Sequence, residues 1–130
     1  MDNTTPALYH LSVSEVALVE EVESWFIELA STDPDAANSV TGAIDLLEDV
    51  GPTLGRPVVD RVKGSKFHSM KELRPVGTSI RILFIFDKRR NAILLVGGDK
   101  AGQWKKWYEE NIPIADARYQ NWVDEQEKQK

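Results

Sequence analysis

The segment Ser79–Phe86 is the feature that most restricts how this chain can fold. It is rich in β-branched and aromatic residues with almost no polar interruption, which predicts a β-strand. A turn at Asp87–Asn91 leads into another apolar segment, Ala92–Val96, and Phe67–Arg74 precedes both as a further strand candidate. Because the connections are short, the three segments predict an antiparallel meander that ends at a pair of glycines.

Helical periodicity replaces strand alternation in the first half of the chain. We predict a short strand at Ala7–Val13, then Ser14 as the N-cap of a helix that begins at Glu15. Apolar residues recur in that helix at the spacing of one buried stripe. A second helix starts at the break around Pro34 and stops near Gly51. Two helices with a short connector predict an antiparallel helical hairpin.

A last helix is expected to begin near Gly102 and to be interrupted at Pro113, with a further turn or helix around Trp122. The element order is therefore β-α-α-β-β-β-α. This order predicts an α+β fold, a small antiparallel-rich sheet packed against the N-terminal hairpin and the C-terminal helix. With 130 residues, the chain has the length of a single domain, residues 1–130, with a polar tail at about 124–130.

Several classes of protein are excluded by what the sequence lacks. The chain has no cysteine, so disulfides and thiolate chemistry are excluded and a reducing cytoplasm is expected. No apolar run has the length of a membrane helix, so no membrane partner is expected. Walker, dinucleotide-binding and Gly-x-Ser-x-Gly motifs are missing. His10 and His68 are far apart and have no acidic partner at ligand spacing, so neither a metal nor another cofactor is expected.

The charges are strongly segregated along the chain. Residues 1–55 contain eleven acids and no Lys or Arg, whereas residues 56–106 contain thirteen bases against four acids. Such a basic segment favours contact with a nucleic acid or another polyanion. The alternative is that the acidic and basic segments neutralise each other across the fold.

Arg81 is the one charge within the apolar strand Ser79–Phe86. Burying a guanidinium there costs desolvation free energy unless it faces a groove or forms an ion pair or hydrogen bond. One interpretation is a structural salt bridge, for instance to Glu72 on the neighbouring strand. The other is a phosphate ligand, because four cations on one side of a sheet would bind a phosphodiester and stabilise the charge of its cleavage. The three further cations expected there are Lys71, Arg74 and Lys100.

Aromatic and basic residues alternate at the start of the last helix. Trp104 and Tyr108 are four residues apart and share a helix face, with Lys105 beside them. Rings beside cations commonly stack on unpaired bases. The alternative is that some of these rings, Trp107 among them, anchor the helix to the sheet.

Three stretches together resemble a known family: Val62–Arg74, Ile80–Phe84 and Leu95–Lys100. Their ordered combination is similar to the RelE/ParE toxin superfamily, and most similar to its HigB-like, phage-related branch. The resemblance covers roughly residues 7–115, and the element order derived above agrees with it.

The resemblance implies the toxin of a type II toxin–antitoxin system. RelE- and HigB-like members cleave messenger RNA on the ribosome without a metal, through attack of a 2′-hydroxyl on the adjacent phosphate. Carried onto this chain, the resemblance implies that Arg81 binds the phosphate and that the other catalytic residues are Lys71, Arg74 and Lys100. The family has one aromatic residue near the C-terminus, and both Trp104 and Tyr108 lie within range of it. The RNA-binding residues that we expect are Lys63, Lys66, His68, Trp104, Lys105 and Tyr108.

The resemblance also implies partners and leaves alternatives. The expected partners are a cognate HigA-like helix-turn-helix antitoxin, the ribosome and its mRNA, with operator DNA bound only indirectly through the antitoxin complex. The acidic hairpin, residues 15–50, is better suited to the antitoxin than to RNA. The alternatives are a ParE-like, non-catalytic inhibitor of DNA gyrase and an inactive adapter that only binds antitoxin.

Overall fold

The computed structural model describes residues 13–129. Five strands and three α-helices make up this part of the chain. In chain order they are β1 (Val16–Leu18), α1 (Glu20–Thr32), α2 (Pro34–Val50), β2 (Val59–Arg61), β3 (Lys71–Leu73), β4 (Ile80–Phe86), β5 (Ala92–Asp99) and α3 (Trp104–Lys128), with a 3₁₀ turn at Gly51–Thr53.

The strands form one mixed sheet in the order β1-β5-β4-β3-β2. Strands β2 to β5 pair antiparallel, and β1 joins β5 in parallel. The predicted meander of three strands is thus confirmed as β3-β4-β5. The register between β4 and β5 shifts between Leu83 and Phe84, because β5 carries one extra residue there, Leu95.

Helices cover both faces of the sheet, which explains why β4 and β5 are almost continuously apolar. On one face α1 and α2 bury Val22, Val40 and Leu47 against the sheet. On the other face α3 buries Trp107 and Ile112. The predicted α+β class, with a helical hairpin and a C-terminal helix packed on a small sheet, is confirmed.

The N-terminal elements differ from the prediction. The predicted strand at residues 7–13 lies outside the described residues except for Val13. Val16–Leu18 forms β1, not the first turn of a helix, and α1 begins only at Glu20 with Val19 as an N-cap that makes no side-chain hydrogen bond. Ser14 is not a helix cap, since its hydroxyl donates to the carbonyl oxygen of Arg90 at 2.7 Å. Pairing with β5 outweighs the helical periodicity here.

Three other boundaries were also predicted wrongly. β3 is only Lys71–Leu73, and the short edge strand β2 was not predicted at all. β5 continues through its two glycines, and α1 and α3 approach the backbone closely there: a Cβ on Gly97 would lie 2.5 Å from the ring of Trp25. α3 runs without interruption past Pro113.

The outer edge of the sheet at β2 is closed by local hydrogen bonds. The N–H groups of Val59 and Arg61 point away from β3 because hydrogen-bonding direction alternates along a strand. The Val59 N–H donates to the carbonyl oxygen of Gly55 at 3.0 Å, and the Arg61 N–H donates to the carboxylate of Asp60 at 2.8 Å.

Within residues 13–129, no helix has both the length and the apolar character that crossing a membrane requires.

Candidate phosphodiester site

Arg81 lies near the start of β4, on the sheet face that α3 covers, directly opposite Gly98 of β5. Its side chain is half-buried, and Nη1 donates to the carbonyl oxygen of Ile80 at 2.8 Å. Nε is buried and has no hydrogen-bond partner among the described residues. No ion pair with Glu72 forms within residues 13–129, so the structure does not support the structural salt bridge considered for Arg81.

Glu72 lies on the same face, at the centre of a polar cluster that the sequence had not singled out as functional. It is 3% exposed and sits opposite Leu83 of β4. Its Oε1 accepts a hydrogen bond from the hydroxyl of Tyr108, and its Oε2 accepts from Nε of Arg74 at 2.8 Å. A buried carboxylate is tolerated only with such partners. The signal available in the sequence was strand alternation, which puts Glu72, not Lys71, on the face of Arg74.

Arg74 follows β3 directly and is held by two carboxylates. Nη2 lies 2.6 Å from Oε2 of Glu72 and 3.1 Å from Oδ2 of Asp60. Burial opposes the charge of Arg74, but its hydrogen bond and charge attraction to Glu72, with a contribution from Asp60, raise its pKa. Arg74 is therefore a fixed cation whose charge is largely compensated within the protein.

Tyr108 reaches the cluster from the second turn of α3. Burial, followed by its hydrogen bond to Glu72 and the charge of that residue, raises the pKa of Tyr108 to about 12, and Arg81 acts in the opposite direction. At neutral pH the phenol is therefore protonated and stays a hydrogen-bond donor. The influence of Arg81 on its pKa also places the guanidinium near the phenol.

Lys71 does not join this cluster. It pairs with Phe84, on the face covered by α1 and α2, and its ammonium lies 5.4 Å from the ring centroid of Phe86. The expected convergence of four cations is therefore wrong for Lys71. The physical reason is parity: residues 71 and 74 are three apart along an extended chain, so they project to opposite faces.

Lys100 lies just past the end of β5, beside the start of β4. Its backbone N–H donates to the carbonyl oxygen of Ser79 at 3.1 Å, and its side chain is half-buried. A hydrogen bond from Ser79 and the N–H of Ala101 lower the pKa of Asp99, helped by the charges of Lys100 and Arg81. These two cations thus lie near the same carboxylate.

A hollow of about 240 Å³ opens beside the Glu72–Tyr108 pair. Lys63 lines it, together with Arg61, which no sequence pattern indicated. Lys66 and His68 are exposed on the loop that follows. The residues that line the hollow are Arg61, Val62, Lys63, Glu72, Tyr108 and Ile112.

The aromatic residues at the start of α3 occupy three different environments. Trp104 is 61% exposed and lines a separate hollow with Lys105. Trp107 is 6% exposed and packs against Gly98, as the core-packing alternative expected. Tyr108 binds Glu72. Trp104 and Tyr108 therefore line two different hollows.

Chemically, the cluster contains groups suited to binding an anion and groups suited to transferring a proton. Two guanidinium groups, a neutral phenol and a buried carboxylate occupy one sheet face, and the Arg81 guanidinium is the one not neutralised by an ion pair within residues 13–129. Such a set can hold a phosphate and move a proton beside it. Between residues 13 and 129 no three His, Cys, Asp or Glu residues are grouped so as to hold a metal ion.

The sequence and the fold resemble known proteins. The family described as "Phage derived protein Gp49-like (DUF891)" matches residues 27–120. A Mycobacterium tuberculosis protein named as toxin HigB3 is 68% identical over 108 residues, which cover 83% of this chain and 92% of that protein. A second protein of the same organism, named as toxin HigB2, is 45% identical over 111 residues, and the match covers 83% of this chain but 54% of HigB2.

The fold is similar to that in the structure of the YoeB dimer from Staphylococcus aureus. The TM-score is 0.51 at 10% sequence identity, and the match covers 62% of this chain and 90% of that chain. At this identity the likeness concerns the fold alone, and it supports the predicted fold class.

Proposed function

Because the chain belongs to the phage-derived Gp49-like family and is a RelE-family, HigB-like toxin of a type II toxin–antitoxin system, we propose that it is an endoribonuclease that cleaves translated messenger RNA. The observation that carries the proposal is the half-buried Arg81 beside the Glu72–Tyr108 pair, since a guanidinium without an ion-pair partner in residues 13–129 is available for a phosphate.

In the proposed reaction the 2′-hydroxyl of one nucleotide attacks its own 3′-phosphate. Arg81 and Lys100 bind the non-bridging oxygens and stabilise the charge that develops on them. Glu72 accepts the proton of the 2′-hydroxyl, and the phenol of Tyr108 gives its proton to the departing 5′-oxygen. The P–O bond to that oxygen breaks, and a 2′,3′-cyclic phosphate remains.

Arg74 does not bind the phosphate in this reaction but positions Glu72. Its ion pairs with Glu72 and Asp60 fix the position of the Glu72 carboxylate, which is the general base of the proposed reaction. Lys71, on the opposite face, has no part in the proposed phosphate site. Charge stabilisation by the basic side chains makes the proposed reaction independent of a metal.

RNA reaches the site along the basic residues around it. We assign Lys63, Lys66 and His68 to contacts on one side of the cluster and the exposed ring of Trp104, with Lys105, to stacking and phosphate contact on the other. The ribosome, which presents mRNA in the cytoplasm, is the proposed setting of the reaction.

A toxin of this kind has an antitoxin partner, and we propose a HigA-like helix-turn-helix protein that binds operator DNA in the complex. The hairpin α1–α2 offers the surface: it carries exposed acids, among them Glu20 and Glu23, and an exposed apolar side chain, Ile27, that is 63% accessible. An acidic surface repels RNA, so this face is free for a protein partner.

Primer extension on cellular mRNA after brief induction tests the proposal. New 5′ ends that appear with wild-type protein and disappear with Arg81→Ala are the expected result. Growth arrest with intact mRNA would contradict the nuclease and point to the ParE-like gyrase inhibitor, and no arrest at all would point to the adapter.

A further inference from the structure

The loop between β2 and β3 carries three exposed side chains proposed to contact RNA, Lys63, Lys66 and His68. It has no helix or strand of its own. One backbone bond closes its base, from the N–H of Val62 to the carbonyl oxygen of Met70 at 3.1 Å. Loops of this kind are usually mobile unless other groups tie them down.

A buried carboxylate on α3 supplies that tie. Asp116 is 6% exposed, and both of its oxygens bind the loop. Oδ1 accepts from the hydroxyl of Ser65 at 2.5 Å, and Oδ2 accepts from the backbone N–H of Lys66 at 3.0 Å. Ser65 Oγ in turn accepts a hydrogen bond from the N–H of Phe67 at 2.9 Å. The Phe67 ring packs edge-on against the ring of Tyr119, with their centroids 4.9 Å apart.

We infer that Asp116 is a positioning residue, which holds the loop from Lys63 to His68 in the shape that meets RNA; the inference rests on the proposed function. The backbone of Lys66 is anchored while its ammonium stays in solvent, so the cation is presented without first having to order its own chain. Burying a carboxylate costs free energy, and the hydrogen bonds from Ser65 and Lys66 offset that cost.

Removal of the Asp116 charge and release of the loop should have opposite effects on RNA binding, so an experiment can separate them. A carboxylate near a phosphate path repels RNA, so its neutralisation should tighten binding. Release of the loop should weaken binding. Asp116→Asn removes the negative charge and also releases the loop, because an amide nitrogen replaces one of the two acceptor oxygens. Asp124→Asn removes the same charge from the same helix without touching the loop and is the matched control.

The experiment measures the rate of mRNA cleavage on 70S ribosomes against ribosome concentration, with hydrogen exchange of the loop amides as a direct readout. For Asp116→Asn and Ser65→Ala we expect KM to rise about tenfold with kcat unchanged, and the Lys66 amide to exchange faster. Ser65→Thr keeps the hydroxyl, so its KM should equal that of the wild type and not that of Ser65→Ala. Asp124→Asn should leave KM unchanged or lower it. If Asp116→Asn does not fold, Ser65→Ala, which removes only one of the two bonds, carries the test.

Two results would overturn the inference. Faster exchange at Lys66 with a KM equal to that of Asp124→Asn would mean that the anchored loop shape is irrelevant to RNA. A fall in kcat without a change in KM would mean that Asp116 acts on the reaction and not on the loop. The double variant Lys63→Ala with Lys66→Ala tests the proposed function separately, since an unchanged KM there removes the loop from the RNA site whatever Asp116 does.

Discussion

Replacing Arg81 by methionine should abolish activity while leaving the stability of the fold nearly unchanged. In the folded protein the Arg81 Nη1 bond to the carbonyl oxygen of Ile80 stabilises by about 1.5–3 kcal/mol, the range for a charged donor. The buried, unpartnered Nε costs about 1–3 kcal/mol, so the two contributions nearly cancel. Methionine keeps the apolar stem of the side chain. The free energy of unfolding should therefore change by no more than about 1 kcal/mol in either direction.

Arg74→Met is the matched comparison, because it removes the same chemical group from a paired position. Among residues 13–129, it leaves Glu72, which is 3% exposed, with Tyr108 as its one remaining hydrogen-bond partner. Breaking a fully buried pair costs about 3–5 kcal/mol, and the 32% exposure of the Arg74 side chain reduces the expected loss to about 2 kcal/mol.

Urea unfolding with an unchanged m-value measures stability, and mRNA cleavage measures activity. Cleavage by Arg81→Met should fall about 10²-fold or more, the range for loss of one transition-state donor. If Arg81→Met destabilises as strongly as Arg74→Met, Arg81 is a structural residue. If it stays folded and cleaves RNA normally, Arg81 does not bind the phosphate.

Three further outcomes are expected. Folding raises the pKa of Tyr108 from 10.0 to about 12, so the protonated phenol stabilises the fold fully below pH 10, and this contribution is lost as the pH rises towards 12. Over this pH range the free energy of unfolding, measured with urea, should therefore fall less steeply for Tyr108→Phe than for the wild type. Gly97→Ala should destabilise by about 1–3 kcal/mol because its methyl group meets the Trp25 ring at 2.5 Å, and a thermal midpoint equal to wild type would contradict this close packing. Glu20→Lys combined with Glu23→Lys should abolish antitoxin pull-down while growth arrest persists, whereas unchanged pull-down would move the antitoxin to the basic sheet face.

Prediction from the sequence succeeded where local and global preferences agree. Apart from Arg81, strand Ile80–Phe86 is apolar on both faces and is covered by helices on both faces, so its composition is unambiguous. The break before α2 is equally local, since the Asp33 side chain accepts from the N–H of Ala36 at 3.2 Å and Pro34 opens the helix. Val16–Leu18 was mistaken for helix because its preference is decided by a parallel partner, β5, far along the chain.

The candidate site was predicted less completely, for two different reasons. The placement of Lys71 beside Arg81 was a misjudgement of strand parity, which the sequence itself could have corrected. The proposed roles of Glu72 and Asp116 depend on contacts across 36 and 51 residues of chain, to Tyr108 and Ser65, which no local pattern encodes. A buried acid shows its function only when its donors are known.

Asp60 has two structural roles at once. The same carboxylate accepts a hydrogen bond from the outward N–H of Arg61 on the sheet edge and binds Arg74 beside the proposed catalytic cluster. Loss of that carboxylate would expose a strand edge to pairing with other chains and would loosen a cation of the site in one mutational step. Selection against aggregation therefore also retains the carboxylate that binds Arg74. Position 60 should tolerate fewer substitutions than its location on an edge strand suggests.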